Sequence, residues 1–503
     1  MKQSISRRQF LKASGLAAAG ACAAGLLSSC GGKSGGSSSG SASGADTSKY
    51  TVLYSSQPAT LNYLTTATDL EMVVGANCVD TLVEYDNKGV MREGLATKWE
   101  WDADTLTWTF TLREENWVDN NGEVVAPVTA QDFVDALQYV LTPDYASSNV
   151  GLVTAYIAGA DDYYNYHVYL TNAENGTVDD DGTTYVTDGS GNVTVTAADG
   201  TASTYAPVDF DSVGVTAVDD KTLEVQLNVP VSYFLSLMYF PTFYPVNEAF
   251  YNTCADTFGT SPETVLSNGA FVLTDYQPAA TAFAMEKNPD YYDADKIALD
   301  GLAYQVIKDS QQALMSYQTG TLDITLLNGE QVDQVKDDPE FTSVGAGYLW
   351  YISPNIDAVP DLANLNLRKA MTFALDRDAI TGDVLKDGST PAYTAVPAQF
   401  ATGPDGSDFS ADQTKFADDC AYDPEKAKEF FETAKAELGK DTFTFDMVVD
   451  ADDAPQKVAQ VVKEQLETTL EGLTINLTVE PKKQRVQDMQ DGTFELGLTR
   501  WGP

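Results

Sequence analysis

The residues able to do chemistry are few, and their spacing suits no catalytic constellation. His167 is the only histidine in 503 residues. A two-histidine zinc site, or a serine or cysteine nucleophile served by a well-placed histidine, needs more than that. His167 stands beside Tyr163, Tyr164 and Tyr166, company that reads as half-buried packing. Asp179-Asp180-Asp181-Gly182 suggests a calcium loop, but Thr184 stands where the loop glycine belongs and Ser190 where the bidentate glutamate belongs. It reads as an acidic turn. With 74 acidic residues, some carboxylate pair falls ~5–9 Å apart by chance, so paired-carboxylate hydrolysis has no motif behind it. No catalytic residue, metal site or cofactor is expected. Rare cations in so acidic a chain, Lys482, Lys483, Arg485 and Arg500, are candidates to hold a carboxylate.

Other chemistry is addressed to the N-terminus itself. Ser6-Arg7-Arg8-Gln9-Phe10-Leu11-Lys12 resembles a twin-arginine export motif, and the run from Ala13 to Ser29 is uncharged. Leu27-Ser28-Ser29-Cys30 resembles a lipobox, in which the cysteine takes a diacylglycerol and becomes the mature N-terminus. A basic head, an apolar run and a small-residue cleavage site make a targeting segment over 1–29. The run is short and weakly apolar for a membrane span of ~20 residues. The expectation is an extracytoplasmic chain, lipid-anchored at Cys30. Removing 1–29 removes Lys2, Arg7, Arg8 and Lys12 and no acid, so the formal charge goes from -44 to -48. Such a surface repels nucleic acid and anionic head groups, leaving the lipid to anchor the protein. Cys78, Cys254 and Cys420 remain after Cys22 and Cys30, and three cysteines form at most one internal disulfide.

Residues 30–46 comprise the lipidated Cys30 and a Gly/Ser linker over 31–46. By random-coil scaling it reaches roughly 20–25 Å. Strands are predicted at Tyr50–Ser55, Thr81–Tyr85, Thr97–Trp101 and Thr107–Leu112, the last two split by the turn Asp102-Ala103-Asp104. Thr129 and Asp132 form a capping-box signature, after which Phe133, Ala136, Leu137 and Val140 share one helical face. Residues 170–208 alternate Thr, Gly, Asp and Asn with short apolar runs and read as a β-hairpin insertion. Strands resume at Val213–Val218 and Thr222–Leu227. Helices are expected at 68–80, 310–319, 365–383, 423–437 and 454–470, with strands at Thr442–Val449 and Leu473–Val479. Their alternation implies an α/β chain with crossover helices.

A series of blocks then occurs in order. They include Glu93-Gly94-Leu95-Ala96-Thr97-Lys98-Trp99-Glu100, Trp108-Thr109-Phe110-Thr111-Leu112-Arg113, Ser267-Asn268-Gly269-Ala270-Phe271, Glu286-Lys287-Asn288-Pro289-Asp290-Tyr291-Tyr292 and Tyr422-Asp423-Pro424-Glu425-Lys426-Ala427. The pattern resembles the extracellular solute-binding proteins of the oligopeptide and dipeptide importer family, over nearly all of 50–503. The resemblance implies a periplasmic-binding-protein-like type II fold, with two lobes closing by a hinge and an extra domain. It places 47–81 and 208–348 in lobe I, 82–207 in the extra domain and 349–503 in lobe II. Phe494–Pro503 resembles the strand and bend that precede an Asp-Tyr pair in the family, whose Asp meets a peptide α-amino group. The sequence stops before that pair, so the chain is expected to be C-terminally truncated.

The same resemblance implies capture of peptides for the permease subunits of an ATP-driven importer, by a monomer and without catalysis. Ser56 and Gln57, next to Pro58, and the segment ending at Arg500 and Trp501 are expected to flank the ligand. Asn268 and the strand Tyr348-Leu349-Trp350-Tyr351 are expected to supply polar and aromatic contacts. An arginine that meets the peptide C-terminus in some relatives aligns near Leu498. Relatives of this fold also carry sugars, metal chelates or opines, so another small solute is the alternative ligand. A surface hydrolase or adhesin is the alternative of another class.

Overall fold

The structure is a computed structural model that describes residues 49–502 except Ala67, 87–89, Asp180, Gln399, 402–406 and Gln413. The export segment 1–29, Cys30, the linker to residue 46 and Pro503 lie outside the described residues. The chain divides into two compact units, 1–326 and 327–503. The division falls before the expected start of lobe II at Leu349.

In the first unit, strand Lys49–Tyr54 pairs in parallel with Gly301–Val306, which is followed by Ala282–Lys287 and Phe271–Asp275 in one four-stranded sheet. The start of the described residues is thus stitched to a segment 252 residues later by the register Lys49↔Gly301 through Tyr54↔Val306. A second, antiparallel sheet runs Val215–Asp219, Thr222–Gln226, Thr107–Leu112, Ala96–Asp102. This corrects the expected boundary at 207/208. Thr222–Gln226 pairs residue by residue with Thr107–Leu112, so these strands form one sheet with the expected extra domain. Helix Ala130–Val140 carries the expected capping box of Thr129 and Asp132 and buries Phe133, Ala136, Leu137 and Val140.

The insertion differs from a hairpin. Residues 170–175 finish helix Ala160–Asn175, and the rest is a three-stranded meander of Thr184–Thr187, Val193–Thr196 and Ala202–Tyr205. Gly182, Gly191 and Gly200 recur every nine residues with positive φ of 88°, 82° and 85°. Glycine enters that region without steric cost, so each one ends a tight turn. The acidic turn is built by its own carboxylates: Asp181 accepts from the Thr183 amide, and Asp179 from the Tyr185 hydroxyl at 2.6 Å. His167 packs on Tyr163 and Tyr166, with ring centres 4.3 and 5.1 Å away.

In the second unit the sheet order is Leu349–Pro354, Leu496–Trp501, Phe443–Asp450, Leu473–Glu480. Phe443–Asp450 and Leu473–Glu480 are parallel, joined by helix Asp453–Thr469 as a β-α-β crossover. That helix buries Val458, Ala459, Val462 and Leu466 in a core with Phe445, Met447, Val449 and Ile475. The helix expected over 365–383 is broken. Leu365–Phe373 ends, and Asp376 caps a new turn at Arg377–Ala379 by accepting from the Ala379 amide. Ile380–Leu385 follows with wider π-type winding. A carboxylate that caps so well competes with an uninterrupted helix. Cys78, Cys254 and Cys420 are all free thiols.

Asp80 follows helix Asp69–Cys78 and is buried, accepting from the Tyr291 hydroxyl at 3.3 Å. Burial, and then the nearby Glu84 carboxylate, push its pKa up to about 7. An unfolded Asp titrates near ~3.9. The folded chain therefore keeps a proton that the unfolded chain has lost, and this contribution to stability declines as pH rises from about 4 through about 7. Asp80→Asn is expected to flatten the pH dependence of unfolding and to raise the melting temperature relative to the parent at pH 8 more than at pH 5. Thermal unfolding at the two pH values checks this.

Candidate functional site

In the second unit, Leu349–Pro354 is the outer strand of the described sheet and pairs antiparallel with Leu496–Trp501. Trp350 lies directly opposite Arg500, so both side chains stand on one face. The Arg500 guanidinium sits 4.9 Å from the Tyr348 ring centre and 5.5 Å from that of Trp350. Both distances are within cation–π range. Gly502 packs so closely on the Tyr348 ring that no Cβ fits there. Tyr348, Trp350 and Arg500 are thus brought together. Tyr351 alternates to the other face, where Leu349 opposes Trp501. Trp501 is 74% exposed, an unusual position for so large an apolar ring. Leu498, at the aligned arginine position, is buried.

Arg485 has a different role from the one sequence suggested. Its side chain is buried, and its Nε and Nη2 donate to Asp450 at 2.8 and 3.1 Å. Nη1 donates to the Thr499 hydroxyl at 2.8 Å. It is committed to the fold and has no free fork for a ligand carboxylate. Lys483 is exposed on the same helix, Lys482–Gln490, and Lys482 is half-buried there.

In the first unit, Ser56 is exposed and Gln57 half-buried, in the loop after Lys49–Tyr54. Pro58 is buried. The loop is organised by Glu71, a buried residue that sequence reasoning missed. Its carboxylate accepts from the Ala59 amide at 2.6 Å and the Thr60 amide at 3.3 Å, and from the hydroxyls of Thr66 and Thr68. Thr68-Asp69-Leu70-Glu71 is the spacing of a capping box, a signal that was there to be read. Asn268 corrects another expectation. It is fully buried, and its Oδ1 accepts from the Asp80 amide at 2.8 Å. Its own amide and that of Gly269 donate to the Cys78 carbonyl at 3.0 and 2.8 Å. A Cβ on Gly269 would fall 2.9 Å from the Cys78 carbonyl carbon, so the pair closes the end of helix Asp69–Cys78 and exposes nothing to a ligand. Ser56, Gln57 and Asn268 belong to one unit, and Tyr348, Trp350, Tyr351, Arg500 and Trp501 to the other.

Residues 91–503 match the model of the bacterial extracellular solute-binding proteins, family 5 Middle, and residues 4–24 match the twin-arginine translocation signal sequence. The chain is 27% identical to the dipeptide-binding protein of Lactococcus lactis, over 85% of this chain and 72% of that protein. It is 29% identical to the oligopeptide-binding protein OppA of Bacillus subtilis, over 84% and 68%. It is 30% identical to the oligopeptide-binding protein SarA of Streptococcus gordonii, over 95% and 73%. Among solved structures, Listeria monocytogenes OppA bound to peptide aligns with a TM-score of 0.74 at 26% identity, covering 91% of this chain and 81% of that one. The substrate-binding domain of a Bacillus anthracis oligopeptide ABC transporter aligns at 0.73 and 28%, covering 91% and 80%. The fold is the α/β periplasmic-binding-protein type II fold. No helix among the described residues is long and apolar enough to cross a membrane.

Replacing Arg485 by Ala leaves Asp450 buried without its partner. The expected cost is ~3–5 kcal/mol, whereas the pair Asp450→Leu with Arg485→Met recovers most of it. Urea unfolding of the parent and the two variants measures both.

Proposed function

The chain belongs to the bacterial extracellular solute-binding proteins of family 5, and from that premise we propose that it captures oligopeptides or dipeptides for an ABC importer. The observation that carries the reading is the outer strand Leu349–Pro354 with Arg500 held over Tyr348 and Trp350, beside the exposed ring of Trp501. An outer strand offers every second N–H and C=O to an extended backbone, which gives affinity without choosing side chains. Aromatic rings beside it accept varied side chains by contact area. Arg500, positioned by its two rings, meets a ligand carboxylate. In the first unit, the loop at Ser56 and Gln57, fixed from beneath by Glu71, presents further polar groups. The names and titles of the relatives, dipeptide-binding and oligopeptide-binding proteins and an OppA bound to peptide, support the same reading.

The protein works outside the cytoplasm. We infer that Cys30 carries the lipid that holds it to the membrane, that it acts as a monomer on the permease subunits, and that it returns its ligand chemically unchanged. Lobe I is read as the sheet containing Lys49–Tyr54 and Gly301–Val306, with the extra domain extended to include Thr222–Gln226.

Native mass spectrometry of the chain freed of its export segment is expected to show adducts spread over peptide masses and lost on denaturation. A single non-peptide adduct would reassign the ligand to another solute. Calorimetry with a bound peptide is expected to show Arg500→Ala and Trp501→Ala each weakening binding about three- to ten-fold. Unchanged affinity in both would remove these residues from the site.

A further inference from the structure

A cavity lies wholly within the first unit and is built by two helices. Helix Ala130–Val140 turns its apolar face to the core. On another face it and the residue pair after it carry Asp135, Gln138, Tyr139 and Thr142, the i, i+3, i+4, i+7 spacing of one stripe. The turn Pro143–Tyr145 then folds back, so that Tyr145 stacks on Tyr139 with ring centres 4.0 Å apart and planes 4° from parallel. Opposite, helix Glu248–Cys254 contributes Glu248, Tyr251 and Asn252, again one stripe. Tyr251 stands nearly perpendicular to both stacked rings, at 5.1 and 6.2 Å. Together with Val246 these residues line a cavity of about 140 Å³.

The rings are held in place from outside the cavity. Asn62 Nδ2 donates to the Tyr139 hydroxyl at 2.9 Å, and Gln131 Nε2 donates to Asp135 at 2.8 Å. Tyr139 and Tyr251 are buried, whereas Tyr145 and Glu248 are exposed at the mouth. Two carboxylates face this space, and no lysine or arginine lines it. Burial, and the proximity of Glu248, hold the Asp135 carboxyl above the usual range. The site thus combines three tyrosine rings, two carboxylates without a cation, and the amides of Gln138 and Asn252. Aromatic rings with carboxylates are what an ammonium group binds to. A cavity of ~150 Å³ takes a benzene-sized guest, so the size suits an ammonium carrying a few carbons.

We propose that this cavity binds a small organic ammonium ion, at a site separate from Arg500 and Trp501, with Asp135 and Glu248 balancing the charge and Tyr139, Tyr145 and Tyr251 forming the walls. The charge, and not only the shape, selects the ligand. Glu248 and Tyr145 stand at the mouth; Glu248 is exposed, while Tyr145 also stacks on the buried Tyr139.

Calorimetric titration of the full chain with choline and tetramethylammonium tests the proposal. Both cations are expected to bind, and 3,3-dimethylbutan-1-ol, the neutral isostere of choline, at least about ten-fold more weakly. Glu248→Gln and Tyr145→Ala are each expected to weaken choline about ten-fold with peptide affinity unchanged; the melting temperature is unchanged in Glu248→Gln and falls slightly in Tyr145→Ala, which loses its stack on Tyr139. The proposal is overturned if the isostere binds as well as choline, if neither variant changes choline affinity, or if glucose displaces choline. Because peptide affinity is read on the same variants, failure here is distinct from failure of the peptide reading.

Discussion

Arg485 carries the sheet of the second unit across a place where two of its strands part. Phe443–Asp450 pairs with Leu496–Trp501 only at Met447↔Leu496 and Val448↔Gly497. Beyond that point the strands need another link, and the guanidinium supplies it by bonding Asp450 on one strand and Thr499 on the other. Burying two charges is expensive unless geometry and hydrogen bonds are nearly complete. Here the fork meets the carboxylate with two donors and spends a third on a hydroxyl. The link ties Leu496–Trp501 to Phe443–Asp450 on one side, and on its other side Leu496–Trp501 pairs residue by residue with Leu349–Pro354, which sets Arg500 opposite Trp350.

A comparable economy governs the first unit. The end of helix Asp69–Cys78 is closed by Asn268 and Gly269, and its start reaches back through Glu71 to the loop that bears Ser56 and Gln57. One helix therefore fixes the loop of Ser56 and Gln57 at one end and a buried junction with Asp80 at the other. Both ends place carboxylates in the interior: Glu71 is matched by donors from the nearby loop, Ala59, Thr60, Thr66 and Thr68, and Asp80 by the distant Tyr291. The cost of leaving such donors unmet is what makes these junctions specific.

Local patterns in the sequence carried much of the fold. The alternation in Thr107–Leu112, the capping box at Thr129 and the apolar spacing of 454–470 each depend on neighbours within a turn or two, and each element is present. The boundary at 207/208 failed because the pairing of Thr222–Gln226 with Thr107–Leu112 is a long-range fact. Arg485 was misread for the same reason: its partner Asp450 lies 35 residues away, and nothing local distinguishes it from Lys483. Asn268 was assigned by likeness to a family, where a motif marks the fold more surely than the ligand. The helix break at Asp376 was legible in principle, since Asp376-Arg377-Asp378 is itself a capping signal.

The central claim is that an extended ligand backbone lies along the outer strand Leu349–Pro354, next to the strand that Arg485 ties to Asp450. Amide hydrogen exchange of the protein with and without a bound peptide reads that claim residue by residue. The account predicts that the peptide slows exchange at alternate amides of Leu349–Pro354 and at Trp501, with little change in helix Asp453–Thr469. Saturating peptide that leaves the exchange of Leu349–Pro354 and Trp501 unaltered would contradict it.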